Sequence, residues 1–324
     1  MSRVRGRVTA WAELLRVSAL ATVPGDALAG AAAAGLRPNR STLLAIASSL
    51  CLYEAGMALN DWADRAEDAV DRPHRPLPSG RVTPRAALAA SAALTAAGLA
   101  LAARAGRPAL ATATALTATV WAYDLHLKHT PAAPATMAAA RALDVLLGAV
   151  ATSNSSALRA PRTAALGAAG AVGAHTYAVT AVSRHETQGG STRTPLLALA
   201  TTLTLTALTA RPRERPTPGA ATGQGPAGAA TRPTTSVARI AAAAGPLVTA
   251  AVGAAYARTP TTPLLHAALN PSPPLTQRSV GAGIRALIPL QATLAARSGA
   301  PGTALLVLGL APLARALARK VSPT

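Results

Sequence analysis

The stretch NDWADRAEDAVDRPHRPLPSGRV, residues 60–82, stands out in a chain otherwise dominated by alanine, leucine and threonine. The 324 residues include 12 acidic side chains, and five of these (Asp61, Asp64, Glu67, Asp68 and Asp71) fall within positions 61–71. On a helix, Asp61, Asp64 and Asp68 share one face, because about 3.6 residues make a turn. Like charges so placed destabilise an isolated helix by a few tenths of a kcal/mol per pair, so something positive must offset them. Two readings satisfy this. In one, Arg65 and Arg72 form ordinary salt bridges in a charged loop. In the other, a hard divalent cation such as magnesium is held by the carboxylates together with a substrate phosphate, and Arg72 and Arg75 grip the phosphate oxygens with their planar forks.

The surroundings of this stretch are those of a membrane protein. Half of the residues are apolar, 13% are charged, and the mean hydropathy is +0.30. Uncharged runs recur along the chain, and the pattern predicts spans at roughly 9–35, 41–60, 85–104, 107–123, 131–151, 161–183, 194–210, 237–257 and 302–318. A tenth helical stretch, 279–297, carries Arg285 and Pro289 and is left open between a span and a surface helix. The spans are rich in Ala, Gly and Thr. Each is therefore a weak insertion signal alone, but small residues let helices approach closely in lipid. Residues 211–236, rich in Pro, Gly, Thr and Arg, are expected to form a flexible loop within a single domain covering 1–324.

The net charge of +19 does not indicate nucleic acid. The arginines fall mainly between apolar segments, as at membrane surfaces, and aromatic residues for stacking on bases make up 2% of the chain. Cys51 is alone, which excludes an intrachain disulfide. No cleavable leader is expected, because Glu13 and Arg16 interrupt the first apolar run. Placing the basic N-terminus in the cytoplasm puts the 61–85 loop, with five arginines, on the same side.

Asn60, Asp61, Asp64 and Asp68, followed by Arg72, Pro73, Arg75, Pro76, Pro78, Ser79 and Gly80, resemble the first aspartate-rich motif of the UbiA superfamily of intramembrane prenyltransferases. The stretch YDLHLKHT, 123–130, is similar to the segment closing that family's fourth helix. The resemblance implies an all-α polytopic bundle of about nine helices in the cell membrane. It further implies transfer of a prenyl group from a polyprenyl diphosphate to an acceptor, with Mg2+ as cofactor. Asn60, Asp61, Asp64, Asp68 and Glu186 would hold the metal. Tyr123, Lys128, Arg72, Arg75 and Arg184 would contact the substrate, and Asp64, Asp68 and Lys128 would be catalytic.

One departure matters: where the family carries a second motif with at least two aspartates, residues 176–195 offer Glu186 alone, beside Arg184 and His185. With the segments LRVSALATVPGDALAG, MAAARALDVLLGA and IPLQA, this variant resembles the EboC-like branch. The degenerate motif keeps a second function open, a carrier or assembly protein that binds an isoprenoid without turning it over. A CDP-alcohol phosphatidyltransferase is excluded, because its aspartate pattern is absent. Within the apolar runs, Asp26, Glu54, Arg141 and Asp144 are costly in lipid and so face a cavity or a partner. For Arg141 and Asp144, three residues apart, pairing within one helix and lining a cavity are both open. Tyr53, His175 and Tyr177 are further candidates for a pocket wall.

Overall fold

The computed structural model describes residues 2–154, 162–209 and 236–312. The expected flexible loop at 211–236 lies, but for its last residue, outside them. The regular elements among the described residues are all helical: α1 (Ser2–Leu14), a 3-10 turn (Val17–Thr22), α2 (Val23–Ala33), α3 (Arg40–Ala63), α4 (Arg65–Asp71), α5 (Pro84–Ala105), α6 (Arg107–Ala122), a π turn (Tyr123–Leu127), α7 (Ala133–Asn154), α8 (Arg162–Ser183), α9 (Arg193–Thr209), α10 (Ser236–Leu269), α11 (Pro273–Arg297) and α12 (Pro301–Leu308).

Local chemistry starts and stops these helices. Asn39 caps α3 reciprocally with Thr42: the Thr42 N–H donates to Asn39 Oδ1 at 3.0 Å, and the Asn39 N–H donates to Thr42 Oγ1 at 2.9 Å. Thr83 caps α5, with Pro84 at the first helical position. The first expected span, 9–35, is broken at Arg16, which adopts a left-handed conformation (φ 47°) between α1 and the 3-10 turn.

Among the described residues, five helices are long and apolar enough to cross a membrane, α3, α5, α11 and most of α7 and α8. The stretch around Arg285 and Pro289 thus has the length and apolar character of a span, and α11 is the most enclosed of the five. It packs against α2, α8, α10 and α12. A second group, α3, α5, α6 and α7, shares a core built from Ala45, Leu52, Ala102, Ala109, Leu116 and Leu147. Many leucines point outward instead, among them Leu166, Leu197, Leu203, Leu208, Leu305 and Leu306, as expected of surfaces that face lipid rather than water.

Candidate active site

The acidic stretch sits where α3 ends. Its backbone ladder continues across the break at Asp64: the Asp64 N–H donates to the Asn60 carbonyl at 2.9 Å, Asp68 to Asp64 at 2.8 Å, and Arg72 to Asp68 at 2.9 Å. Residues 60, 64, 68 and 72 are therefore stacked a turn apart on one face. Beyond Arg72 the chain folds back on itself. The Val82 N–H donates to the Pro76 carbonyl at 3.0 Å, and Gly80 takes a positive φ of 72° that a side chain would strain. Leu77 and Val82 then bury against Ala10, Leu14 and Ala87, and Arg81 pairs with Glu13 at 2.7 Å. The Pro-rich loop is in this way anchored to α1, and that anchorage aims Arg75 at the aspartates.

Three aspartates of the stretch have cationic partners. Asp61 meets Arg16 at 3.1 Å and Arg75 at 3.6 Å. Asp68 meets Arg75 at 2.7 Å and Arg72 at 3.6 Å. Asp64 is paired with Lys128 and lies 3.7 Å from His129. The Asn60 amide donates to Asp124 at 3.1 Å. Asp64, Glu67 and His129 together bring one ligand atom each within 4.8 Å of one another.

These groups surround the mouth of a cavity of about 410 Å³. Arg16, Asn60, Arg72, Arg75, Tyr123, Asp124 and Glu186 line its polar end. Leu52, Gly56, Met57, Leu116, Val120 and Met137 line the middle. Ser49 and its hydrogen-bonded partner Asp144 lie farthest from Asn60, with Tyr53 on α3 and Arg141 on α7 about one helical turn nearer the mouth. Between Asn60 and Ser49 the cavity follows α3 for eleven residues, about 16 Å at the helical rise of about 1.5 Å per residue.

Of the residues singled out in the sequence, Asn60, Arg72, Arg75, Tyr123 and Glu186 line the cavity. Asp61, Asp64, Asp68 and Lys128 stand around its rim in the ion pairs above. Glu186 comes from the α8–α9 connection; partial burial raises its carboxyl above the ordinary range, and Arg72 opposes that shift. Arg184 is placed differently: it is exposed, does not line the cavity, and donates to the Thr130 carbonyl. Arg141 pairs at 3.0 Å with Asp26 on α2, while Asp144 accepts a hydrogen bond from Ser49. His175 is buried between the Tyr256 hydroxyl and the Gly283 carbonyl, and Tyr177 faces outward.

Two site residues escaped the sequence reading. Arg16 looked like an interruption of an apolar run, and only the turn at residues 14–17 brings it over Asp61. Asp124 stood in plain view inside YDLHLKHT, where its spacing to Lys128 was the available signal.

The model of the UbiA prenyltransferase family matches residues 19–210, more than half of the chain. The chain belongs to that family. The digeranylgeranylglyceryl phosphate synthase of Natronomonas pharaonis is 42% identical over 95 residues, covering 29% of this chain and 33% of that one. The enzyme of the same name from Methanopyrus kandleri is 36% identical over 115 residues, 36% of this chain and 41% of that one. The UbiA chain described here thus matches about a third to two fifths of the length of these relatives. The solved UbiA homologue of Aeropyrum pernix K1, in its apo form, aligns over 82% of this chain and 96% of its own, with a TM-score of 0.54 at 20% identity. A UbiA homologue of Archaeoglobus fulgidus aligns over 93% and 99%, with a TM-score of 0.53 at 17% identity. At these identities the two structures establish the fold. Like other UbiA proteins, the chain is a multi-pass membrane protein, and these matches reach the family rather than its EboC-like branch.

Proposed function

We propose that the protein binds a polyprenyl diphosphate with its headgroup at the polar mouth and transfers the prenyl group to a lipid-soluble acceptor. The observation that carries this reading is the division of one cavity into a mouth lined by three guanidinium groups and a middle lined by apolar side chains. A diphosphate needs charge-assisted donors, and an isoprenoid chain needs a wall that competes with lipid. In the reaction, the allylic C–O bond breaks and its electron pair leaves with the diphosphate. A new bond then forms between that carbon and the acceptor, which gives up a proton. Arg72, Arg75 and Lys128 stabilise the leaving charge, and the apolar walls keep water from the allylic cation.

The donor set around Asn60 is made of hard oxygens, which fits magnesium. Asn60, Asp64 and Asp68 would hold the ion, with Asp61 adjacent and Glu186 across the mouth, and it would neutralise diphosphate charge when bound. Lys128 and Arg75, now on Asp64 and Asp68, are the cations that can turn from carboxylate to phosphate. The archaeal relatives are named for a prenylated glyceryl phosphate, and a membrane-borne acceptor for this chain agrees with that name.

The carrier reading draws on one specific observation. Among the described residues of the second-motif region, Glu186 is the single carboxylate at the mouth. Incubating the protein in lipid with radiolabelled polyprenyl diphosphates of several lengths and a lipid extract tests the two: a labelled product or released diphosphate supports transfer. Magnesium-dependent binding with neither outcome supports the carrier. If no length binds, both fail.

A further inference from the structure

A second cavity, of about 360 Å³, lies among α2, α8, α9 and α11. Glu186, at the mouth of the first, stands in the α8–α9 connection, so the start of α8 and the end of α9, which line the second, lie at the other end of the bundle. The outer end of this groove is polar: Arg297 is the last residue of α11, Ser298 follows it, and Thr209 closes α9. The two hydroxyls donate back into their own helices, Ser298 to the Leu294 carbonyl at 2.8 Å and Thr209 to the Leu205 carbonyl at 2.6 Å, so the guanidinium is the group this end offers to an anion. Deeper in, the walls are apolar, with Ala168, Leu205 and Leu294. Along α8 the groove runs from Ala164 to Ala171, about 10 Å at the rise of about 1.5 Å per residue. Gly167 and Gly170 form that side of it, and a Cβ built on either meets no atom within 4 Å among the described residues. On Gly173 of the same helix a Cβ would come within 3.3 Å of the Ala138 carbonyl oxygen, so close packing accounts for that glycine. Glycine weakens a helix interior relative to alanine, and at 167 and 170 no contact within the chain accounts for it. What these two positions preserve is the open space above them.

We propose that this groove holds one phospholipid with an anionic headgroup, its phosphate at Arg297 and one acyl chain lying along Gly167 and Gly170. The order of the walls, cation outside and hydrocarbon inside, is the order of a lipid in the leaflet opposite the mouth. A guanidinium at the end of a spanning helix stands at the depth of the phosphates, and its planar fork matches two phosphate oxygens. Without side chains at 167 and 170, an acyl chain can lie directly against the backbone of α8, where dispersion contacts are gained along its length. A zwitterionic lipid fits the same walls but brings its own cation towards the guanidinium. A second copy of the chain is disfavoured: pairing through this face about a two-fold axis turns Arg297 towards its equivalent, and no acidic side chain lines the groove to separate them. The site is remote from the mouth and stands independently of the prenyl-transfer reading.

The test uses the full chain, delipidated in detergent and titrated with phosphatidylglycerol or phosphatidylcholine of matched acyl chains, the bound lipid being counted by native mass spectrometry. The parent should take up one phosphatidylglycerol roughly tenfold more tightly than phosphatidylcholine, the scale of a charge-assisted hydrogen bond, and its thermal midpoint should rise with that lipid. Arg297→Met should bring the two lipids to the same affinity. Gly170→Leu, which puts a side chain into the open groove, should remove the tight phosphatidylglycerol while keeping the parental helical circular dichroism. Should both variants misfold, a diazirine-bearing phosphatidylglycerol decides on the parent protein, by labelling peptides that contain residues 164–171 or 294–298. Equal affinity of the parent for the two lipids overturns the proposal, as does tight binding that survives Gly170→Leu or labelling confined to other helices. Displacement of the lipid by an equal concentration of inorganic phosphate overturns it too, since the groove would then recognise the anion alone. A parent dimer that Gly170→Leu converts to monomer, with lipid uptake unchanged, would make the groove an interface between copies instead.

Discussion

Replacing Arg75 by alanine should weaken binding of inorganic pyrophosphate and at the same time strengthen binding of magnesium. Arg75 is 22% exposed and bridges two aspartates whose side chains are 6% and 4% exposed, Asp61 at 3.6 Å and Asp68 at 2.7 Å. A charge-assisted hydrogen bond of this kind contributes about 1.5 to 3 kcal/mol, so its loss to a phosphate oxygen corresponds to roughly 10- to 140-fold in affinity. The same deletion leaves Asp68 with Arg72 alone, at 3.6 Å and half exposed, and Asp61 with Arg16. Two carboxylates that lose a cation attract another one, so the magnesium dissociation constant should fall as the pyrophosphate constant rises. Arg75→Lys keeps the charge without the fork and should fall between parent and alanine for both ligands. Isothermal titration of each ligand separately, on detergent-purified protein with parental helical content, reads both changes. Unchanged pyrophosphate affinity in Arg75→Ala, or a parallel loss of both ligands, would refute the assignment of Arg75 as a cation shared between aspartate and phosphate.

Asp64→Ala and Asp68→Ala should each abolish the magnesium-dependent part of pyrophosphate binding; if both leave it intact, the cluster is a salt-bridged loop. Because Arg184 donates to the Thr130 carbonyl and does not line the cavity, Arg184→Ala should change pyrophosphate affinity by less than about threefold, the scale of an exposed surface pair. Glu186→Gln is the variant that separates transferase from carrier: loss of a measurable prenyl transfer with binding retained supports the enzyme, whereas intact binding without transfer by the parent protein supports the carrier. A cysteine placed at exposed Ser79, with Cys51 changed to alanine, should resist a membrane-impermeant thiol reagent in intact cells and react after lysis; labelling of intact cells would invert the orientation.

The fold class and the centre of the candidate site were legible because their signals are local. The spacing of Asn60, Asp64, Asp68 and Arg72 is the helical repeat itself, and the backbone bonds that link them follow from it. The loop that turns Arg75 back is marked by its prolines and by Gly80. What stayed hidden depended on distant packing. An Arg141–Asp144 pair within α7 and an Arg141–Asp26 pair across helices satisfy the same rule for buried charge, and only the approach of α2 to α7 selects the second. Arg16 reaches Asp61 across 45 residues through a left-handed backbone position that its sequence does not announce. The span around Pro289 looked marginal because its neighbours, not its composition, make α11 the enclosed helix.

The same small residues that made each span a weak insertion signal set the precision of the site. Gly30 on α2 lies against the backbone of Val145, and Gly148 on α7 lies against the backbone of Ala27, so that a methyl group at either position would overlap main-chain atoms of the facing helix. Backbone cannot swing away as a long side chain can. This close pair of helices is what places Asp26 beside Arg141 and holds the cavity floor together. Gly148→Ala should therefore act twice. It should destabilise the protein by about 1 to 3 kcal/mol, as overpacking does, seen as a lower thermal midpoint in detergent. By prising α7 from α2 it should also lengthen the Asp26–Arg141 contact, while the mouth, built from α3, α4 and the 72–83 loop, keeps its pyrophosphate affinity. If the substitution leaves the thermal midpoint where it was, α2 and α7 are not in register as described, and the link between small-residue packing and the floor falls with it.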